Sequence, residues 1–245
     1  MFIEHRTYSL KPGSLSQYFS IFGDRGFELH ELMAPCLGWY YSEAGKLFEM
    51  TSLWRYDSFA QRLQRRAKLF AMPEWRDLMS RVQPLVTALE SRLVLPAPFW
   101  HGRGPKLGGL MPAGATAHGL TSAAAIDGDG IPPDVPFIEH RIYTLKPGTT
   151  HRYLEIYGAD GFAIHETHAP CVGFYFTEAG ALFQLISLWR FDSFEQRLER
   201  RAELNARADW RARLEKLSPF VDRIENKFLL LAPFKTLAER FGAAA

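Results

Sequence analysis

Two segments of this sequence carry an acid, an arginine and a tyrosine at alternate positions. The two sets are Glu4, Arg6 and Tyr8 near the start and Glu139, Arg141 and Tyr143 past the middle of the chain. Because side chains alternate across a β-strand, the members of each set share one face if the segment is extended. A guanidinium binds anions and a phenol donates a hydrogen bond, so each set predicts a site for an anionic ligand. The alternative is a structural Glu–Arg pair beside a packed tyrosine.

Histidines form a second group of candidates. His30 and His165 each precede a glutamate near the predicted end of a helix, and both are candidate general bases because imidazole titrates near neutrality. Adjacent helical residues do not face each other, so the alternative is a histidine stabilised by the helix dipole. His5 and His140 fall on the strand face opposite the arginines, where we expect histidines of the core or in contact with a helix.

Other chemistry has little support in the sequence. His165 and His168 are spaced to reach one metal ion, but Met33 is the counterpart of His168 in the first half, and we expect no metal site. We interpret Cys36 and Cys171 as small buried hydrophobes. No Ser-His-Asp motif, P-loop or dinucleotide fingerprint occurs, so no cofactor is expected.

The candidates occur in pairs because the chain is an internal duplication. Phe2–Gly13 returns as Phe137–Gly148, displaced by 137 − 2 = 135 positions, and the similarity extends without a gap from Phe2–Phe99 to Phe137–Phe234. Such a repeat fixes the architecture, and each half has the length of a common domain. We therefore divide the chain into repeat 1 (1–99), a Gly/Pro/Ala-rich linker (100–136), repeat 2 (137–234) and a short tail (235–245).

Hydrophobic periodicity predicts the order β-α-β-β-α-β in each repeat. The strands of repeat 1 are predicted at Phe2–Leu10, Cys36–Glu43, Leu47–Tyr56 and Glu90–Ala97. A Ser14–Gln17 capping box is expected to open helix 1, which is kinked or broken at its glycines, Gly23 and Gly26. This order indicates a ferredoxin-like antiparallel sheet with both helices on one face. The other face carries aromatic residues, so we predict two sheets packed face to face, within one chain or between chains.

Helix 2 is predicted to begin with a second capping box, Ser58–Gln61. Phe59, Leu63 and Ala67 lie four residues apart on one apolar face of this helix. The remaining faces of helix 2 and of its copy carry arginines that we predict to be solvated: Arg62, Arg65, Arg66, Arg197, Arg200 and Arg201.

Composition excludes several classes of protein. The chain has 245 residues, 47% of them hydrophobic, with a net charge of +2 and a pI near 8.5. Interspersed charges do not produce the single-sign field of a nucleic-acid binder, and no apolar run approaches the roughly 20 residues of a membrane span. With the first strand predicted to begin at Phe2, we expect no targeting segment, and two cysteines make no disulfide framework, so we expect a cytoplasmic protein.

Four motifs, each present twice, carry a family resemblance. They are Glu4–Gly13, Gly38–Gly45, Leu53–Ser58 and Pro96–Phe99, with the copies Glu139–Gly148, Gly173–Gly180, Leu188–Ser193 and Leu231–Phe234. Their order and spacing resemble the NIPSNAP family over nearly all of both repeats. The resemblance implies the dimeric α+β barrel superfamily, in which two ferredoxin-like units close a barrel around a central cavity. Ser52 and Ser187 stand where the family often has a histidine, so chemistry that needs that imidazole is not expected here.

The resemblance also implies a function. We expect a small, mostly apolar or aromatic ligand in the barrel cavity, and the residues expected to line it are Tyr40, Trp54, Tyr175 and Trp189. By analogy with enzymes of the superfamily, the chemistry would be cofactor-independent proton transfer or monooxygenation, with His30 and His165 as bases and the arginines holding an enolate or carboxylate. The alternatives are a non-catalytic adaptor that recruits partners and a haem binder. Assembly into a homodimer or higher homo-oligomer stays open.

Overall fold

The computed structural model describes residues 1–100, 135–235 and 237, so most of the predicted linker and tail lies outside the described residues. In repeat 1 the elements are β1 (Phe2–Leu10), α1 (Leu15–Glu31), β2 (Cys36–Ala44), β3 (Glu49–Tyr56), α2 (Phe59–Ala71), α3 (Pro73–Val82) and β4 (Val86–Pro96). In repeat 2 they are β5 (Phe137–Leu145), α4 (Thr150–Ile156), α5 (Phe162–Glu166), β6 (Cys171–Ala179), β7 (Gln184–Phe191), α6 (Phe194–Ala206), α7 (Ala208–Leu217) and β8 (Val221–Leu231). None of these described helices is long and apolar enough to cross a membrane.

The eight strands form one closed antiparallel barrel in the order β1-β3-β2-β8-β5-β7-β6-β4. Two of the strand pairs join the repeats: β2 pairs with β8, and β4 pairs with β6. The barrel is therefore closed within a single chain, and each repeat covers the helix-free sheet face of the other. This confirms the predicted fold class, two βαββαβ repeats with helices on one face of each sheet.

The backbone shows why some predicted boundaries moved. β3 begins at Glu49, two residues later than predicted, because Phe48 has a positive φ of 56° and ends the preceding turn. Ser58 is the N-cap as predicted, since its hydroxyl accepts a hydrogen bond from the Gln61 amide at 3.1 Å, while the Gln61 side chain accepts from the Asp57 amide at 3.0 Å rather than from that of Ser58. The capping box at Ser14 is wrong, because its hydroxyl donates instead to the Lys11 carbonyl at 2.7 Å.

The first helix is interrupted in both repeats, as its glycines predicted. Within α1, Gly23 has φ 53° and ψ −172°, a left-handed conformation that glycine adopts without a Cβ clash. In repeat 2 the equivalent position falls in a π-helical turn, Tyr157–Gly161, between α4 and α5. The backbone conformation at the interruption thus differs between the two repeats. The residues that follow it, including His30 and His165, have different surroundings.

Helix α2 turns arginines toward the sheet and apolar side chains toward solvent. Phe59 and Leu63 are 53% and 52% exposed, whereas Arg62 donates two hydrogen bonds to the buried Glu4. A carboxylate inside a protein needs a cation or other donors, and Arg62 supplies them from the helix. The prediction of a solvated arginine face is therefore wrong, and α6 repeats the arrangement in repeat 2.

The centre of the barrel holds a pair of histidines. The Nε2 atoms of His5 and His140 are 2.9 Å apart, and the two rings stack with their centroids 5.1 Å apart. One ring must donate and the other accept, so the two histidines have different tautomers at equivalent positions. Burial lowers the pKa of both well below the usual range, and the charges of Arg92 and Lys227 lower them further.

One end of the barrel interior is polar. A cavity of about 290 Å³ lies there, and its lining includes Glu49, Arg92 and Lys227. Lys227 bonds Glu49 at 3.0 Å and the Thr51 hydroxyl at 3.1 Å, which joins β8 to β3 across the interior. The charges that line this end are thus paired with one another and contribute to closure of the barrel.

We predict that the protein loses stability as the pH falls below about 6.5. Folding lowers the pKa values of His5 and His140, so the unfolded chain binds more protons than the folded one. The contribution of these histidines to stability is therefore fully present above the pKa of a histidine in the unfolded chain and is lost as the pH falls below it. Each such histidine contributes about 1.4 kcal/mol per pH unit in that window. Urea unfolding at about pH 7.5 and about pH 5.5 measures the difference.

His5→Gln should reduce this pH dependence, while the same change at the exposed His151 should leave it intact. Equal free energies of unfolding at both pH values in the unsubstituted protein would contradict the prediction.

Candidate functional site

Each repeat has a pocket between the outer face of its sheet and its helices. The repeat-1 pocket has a volume of about 410 Å³, and Arg6, Tyr8 and His30 are among its lining residues. The repeat-2 pocket is smaller, about 240 Å³. Arg141, Tyr143 and His165 occupy the equivalent positions there. The structure therefore brings together the strand residues and the helix histidine that the sequence singled out, once in each repeat.

These pockets lie outside the barrel, whereas the family resemblance predicted a ligand site in the cavity inside it. The structure places the even-numbered residues of β1 under the helices and the odd-numbered ones, including His5, inside the barrel. Tyr40 and Tyr175 do lie inside, each packed over a glycine of its own strand, Gly38 or Gly173. The predicted lining residues thus belong to two compartments.

Trp54 and Trp189 form the floor on which the helix histidines lie. The His30 ring stacks on Trp54 with centroids 3.7 Å apart, and His165 stacks on Trp189 at 3.8 Å. The Trp54 indole donates to the Ser52 hydroxyl at 2.9 Å, so this serine orients the tryptophan. The Ser187 hydroxyl does the same in repeat 2.

The two histidines differ in their hydrogen bonds. His165 Nδ1 lies 2.9 Å from the Tyr157 hydroxyl, whereas the buried Nδ1 of His30 has no hydrogen-bond partner among the described residues. Phe22 stands at the position equivalent to Tyr157 and has no hydroxyl to offer. Burial lowers the pKa of both histidines well below the usual range, helped by the charge of the arginine in the same pocket. Both rings are therefore neutral near neutral pH.

The arginines also differ between the pockets. In repeat 2, Arg141 bonds Glu139 at 2.8 Å and the Tyr143 hydroxyl at 3.3 Å. In repeat 1, Arg6 makes no ion pair with a carboxylate among the described residues, and its guanidinium lies over the Tyr8 ring at 5.2 Å. The predicted alternative, a structural Glu–Arg pair on one strand, describes repeat 2 and not repeat 1.

Glu4 is held by other residues. Arg62 donates to it from Nη2 at 2.7 Å and from Nε at 3.1 Å, and the Ser91 hydroxyl donates at 2.8 Å. Burial alone would raise the pKa of Glu4, but these donors and the charge of Arg6 lower it to about 2. The carboxylate is thus ionised and fully engaged, mainly by a residue of α2.

Sequence reasoning missed several residues of the repeat-1 pocket. Tyr18, Arg66 and Trp75 line it from the three helices, and Phe70 and Leu89 lie at its rim, where both are about half exposed. A signal for the arginine was present: a glutamate in the middle of a strand needs a cation, and the matching helix carries arginines at the same positions in both repeats.

Neither a metal nor a haem is favoured by the geometry. The described residues contain no group of three or more His, Cys, Asp or Glu side chains that could hold a metal ion. His168, the predicted partner of His165, hydrogen bonds near its own helix end, to Thr167 and Ile164. Both helix histidines lie flat against tryptophans and are less than a tenth exposed, which does not fit an axial haem ligand. Cys36 and Cys171 are buried and form no disulfide within the described part of the chain.

A closed eight-stranded barrel built from two βαββαβ units, with an aromatic pocket beneath each helix layer, defines an α+β barrel of the dimeric kind assembled in one chain. The chain belongs to the NIPSNAP family, whose sequence profile matches residues 3–101 and 138–236.

Curated relatives carry the same family name. The chain is 32% identical over 93 residues to the protein NipSnap homolog of Dictyostelium discoideum, a match that covers 38% of this chain and 41% of that protein. It is 26% identical over 93 residues to protein NipSnap homolog 2 of the mouse, covering 38% and 33% of the two chains. The matched regions thus span less than half the length of these relatives.

Solved structures extend the comparison to the whole barrel. A NIPSNAP family protein from Agrobacterium tumefaciens is 32% identical and aligns over 39% of this chain and 91% of its own, with a TM-score of 0.38. A putative monooxygenase from Fusobacterium nucleatum, 12% identical, aligns over 94% of this chain and 92% of its own with a TM-score of 0.58. A putative monooxygenase from Lactobacillus acidophilus, 7% identical with the same coverage, has a TM-score of 0.56. At such identities these two show a shared fold.

Exchanging Phe22 and Tyr157 tests the difference between the two histidines. We predict that Phe22→Tyr stabilises the protein by about 1 kcal/mol, because the new hydroxyl reaches His30 Nδ1. Tyr157→Phe should destabilise it by about 1–3 kcal/mol, because His165 Nδ1 is left buried without a partner. Thermal or urea unfolding of the two variants measures both effects, and changes of the same sign in both would show that these hydrogen bonds are not the cause.

Proposed function

We propose that the protein binds a small, mostly apolar or aromatic molecule in the repeat-1 pocket. The observation that carries the proposal is the composition of the pocket: aromatic and aliphatic side chains together form most of its lining, and a few polar groups converge within it. Binding sites for small molecules have this combination of apolar lining and few placed polar groups. Arg6, Tyr8 and His30 are the polar residues that we assign to the ligand, with Trp54 supporting the histidine from below.

Access to the pocket supports the proposal. Phe70 is 49% exposed and Leu89 is 52% exposed, and both are among the residues that line the pocket. The pocket is therefore open to solvent between α2 and β4, and an apolar ligand would cover these two side chains. Burial of apolar surface contributes about 25 cal/mol per Å², so this rim adds to the affinity for an aromatic ring.

We extend the proposal to catalysis by proton transfer at His30. The ring is neutral near neutral pH because burial and the charge of Arg6 lower its pKa, so one ring nitrogen has a lone pair to receive a proton, and a bound anion that offsets the charge of Arg6 would strengthen the ring as a base. Its Nδ1 has no competing partner among the described residues. Two putative monooxygenases share this fold, and a proton acceptor beside an aromatic pocket suits the cofactor-independent chemistry expected from the sequence.

Filling the rim of the repeat-1 pocket should weaken binding of an aromatic probe. We predict that Leu89→Trp weakens the binding of 2-naphthol at least about tenfold, because the larger side chain covers the opening of a pocket of limited size. Isothermal titration calorimetry measures the affinity. Leu89 is half exposed, so the change should leave the melting temperature nearly unaltered.

Ile224→Trp provides the matched control, because Ile224 occupies the equivalent position in repeat 2 and is 58% exposed. It should leave naphthol binding unchanged. Equal losses in the two variants would contradict the proposed site.

A further inference from the structure

We propose that the ligand of the repeat-1 pocket is an aromatic acid, whose anionic oxygens are bound by Arg6, and that the repeat-2 pocket does not bind it. This inference rests on the proposed function and names the chemical class of its ligand. It further separates two pockets that the duplication made equivalent.

Arg6 is a buried cation with no carboxylate hydrogen-bonded to it among the described residues. This residue is only 9% exposed, it lines the pocket, and its Nε has no hydrogen-bond partner among the described residues. The nearest candidate for a counter-ion, Glu4, is bonded by Arg62 and Ser91 instead. A buried charge is costly unless it is paired, so an anion entering this pocket would meet a guanidinium that still lacks a carboxylate.

The buried glutamate of each repeat has different hydrogen-bond partners in repeat 1 and repeat 2. Two equivalent helix arginines lie within ion-pair distance of each glutamate: Arg62 and Arg66 of Glu4, and Arg197 and Arg201 of Glu139. The helix arginine bonds the carboxylate in both repeats, and the difference lies in the strand arginine: Arg141 also bonds Glu139, whereas Arg6 has no hydrogen bond to Glu4. In repeat 2 an incoming anion would have to compete with a carboxylate already in place, whereas in repeat 1 it would not.

The histidines of the two pockets also differ in their hydrogen bonding. Tyr157 engages His165 at 2.9 Å, and the smaller repeat-2 pocket therefore has its polar groups bonded to one another. In the repeat-1 pocket, Phe22 leaves His30 without that bond and contributes an apolar ring to the lining. The repeat-1 pocket thus combines a guanidinium that has no hydrogen-bonded carboxylate among the described residues, an imidazole with hydrogen-bonding capacity and aromatic side chains in its lining.

This combination selects a ligand class. A carboxylate matches the fork of a guanidinium, which can donate two parallel hydrogen bonds to it. The aromatic walls and the rim at Leu89 suit a planar ring placed between the carboxylate and the opening of the pocket. An aromatic carboxylate, with its charged end inward, satisfies both parts of the pocket.

A comparison of 2-naphthoate with 2-naphthol near neutral pH tests the inference, because the two molecules share a ring system and differ in charge. We expect the unsubstituted protein to bind one naphthoate per chain, about 10- to 100-fold more tightly than naphthol. Arg6→Gln should reduce the affinity for naphthoate to about that for naphthol, so that the preference for the acid is lost. Arg141→Gln should leave both affinities unchanged, since that guanidinium bonds Glu139. Calorimetry gives both the affinity and the stoichiometry.

Arg6→Lys and Arg141→Lys keep the charge, and they test the same preference for naphthoate if a glutamine variant fails to fold. Lysine at position 6 should retain part of the preference for naphthoate, because the charge remains and the paired hydrogen bonds are lost. Naphthol bound as tightly as naphthoate, two naphthoate molecules per chain, or equal losses at positions 6 and 141 would overturn the inference while leaving the proposed function intact. If neither probe binds, the proposed function fails and the inference fails with it.

Discussion

Each repeat forms a sheet with two faces to bury but only one layer of helices, and the rest of the structure depends on this imbalance. The uncovered face can leave water only by meeting the equivalent face of the other repeat, which β2–β8 and β4–β6 pairing accomplishes within one chain. Because strand side chains alternate, closure also decides where every polar residue of β1 goes: His5 faces into the barrel, and Arg6 is placed under the helices. The position of the pockets outside the barrel follows from this.

A second consequence is the orientation of α2 and α6. The outer face of each sheet includes a buried glutamate, Glu4 or Glu139, with a pKa lowered to about 2, so each carboxylate is ionised and requires donors. Arg62 and Arg197 provide them from the helices, and this turns an apolar stripe of each helix toward solvent. Pairing of a buried charge prevails here over burial of two or three half-exposed apolar side chains, because an unpaired buried carboxylate costs more.

Much of the fold was predictable from the sequence, and less of the site. The repeat, the order of elements, the helix interruption at Gly23 and the pairing of two sheets all come from local patterns and from the need to cover apolar surface. The residues of the candidate site were identified by type, but the face on which they lie was not. Alternation shows that Arg6 and His5 lie on opposite faces; it does not show which face meets helices. That depends on packing between segments far apart in the chain.

The differences between the two pockets have a simple origin in the way the barrel is made. When two identical chains form such a barrel, one gene specifies both halves, and any replacement appears on both sides of the dyad. Here a single chain supplies both halves, so Phe22 and Tyr157 can differ although they occupy equivalent places. A single chain therefore allows the two repeats to differ in role. One repeat can gain internal hydrogen bonds that stabilise the fold, and the other can keep polar groups without hydrogen-bond partners at the expense of stability.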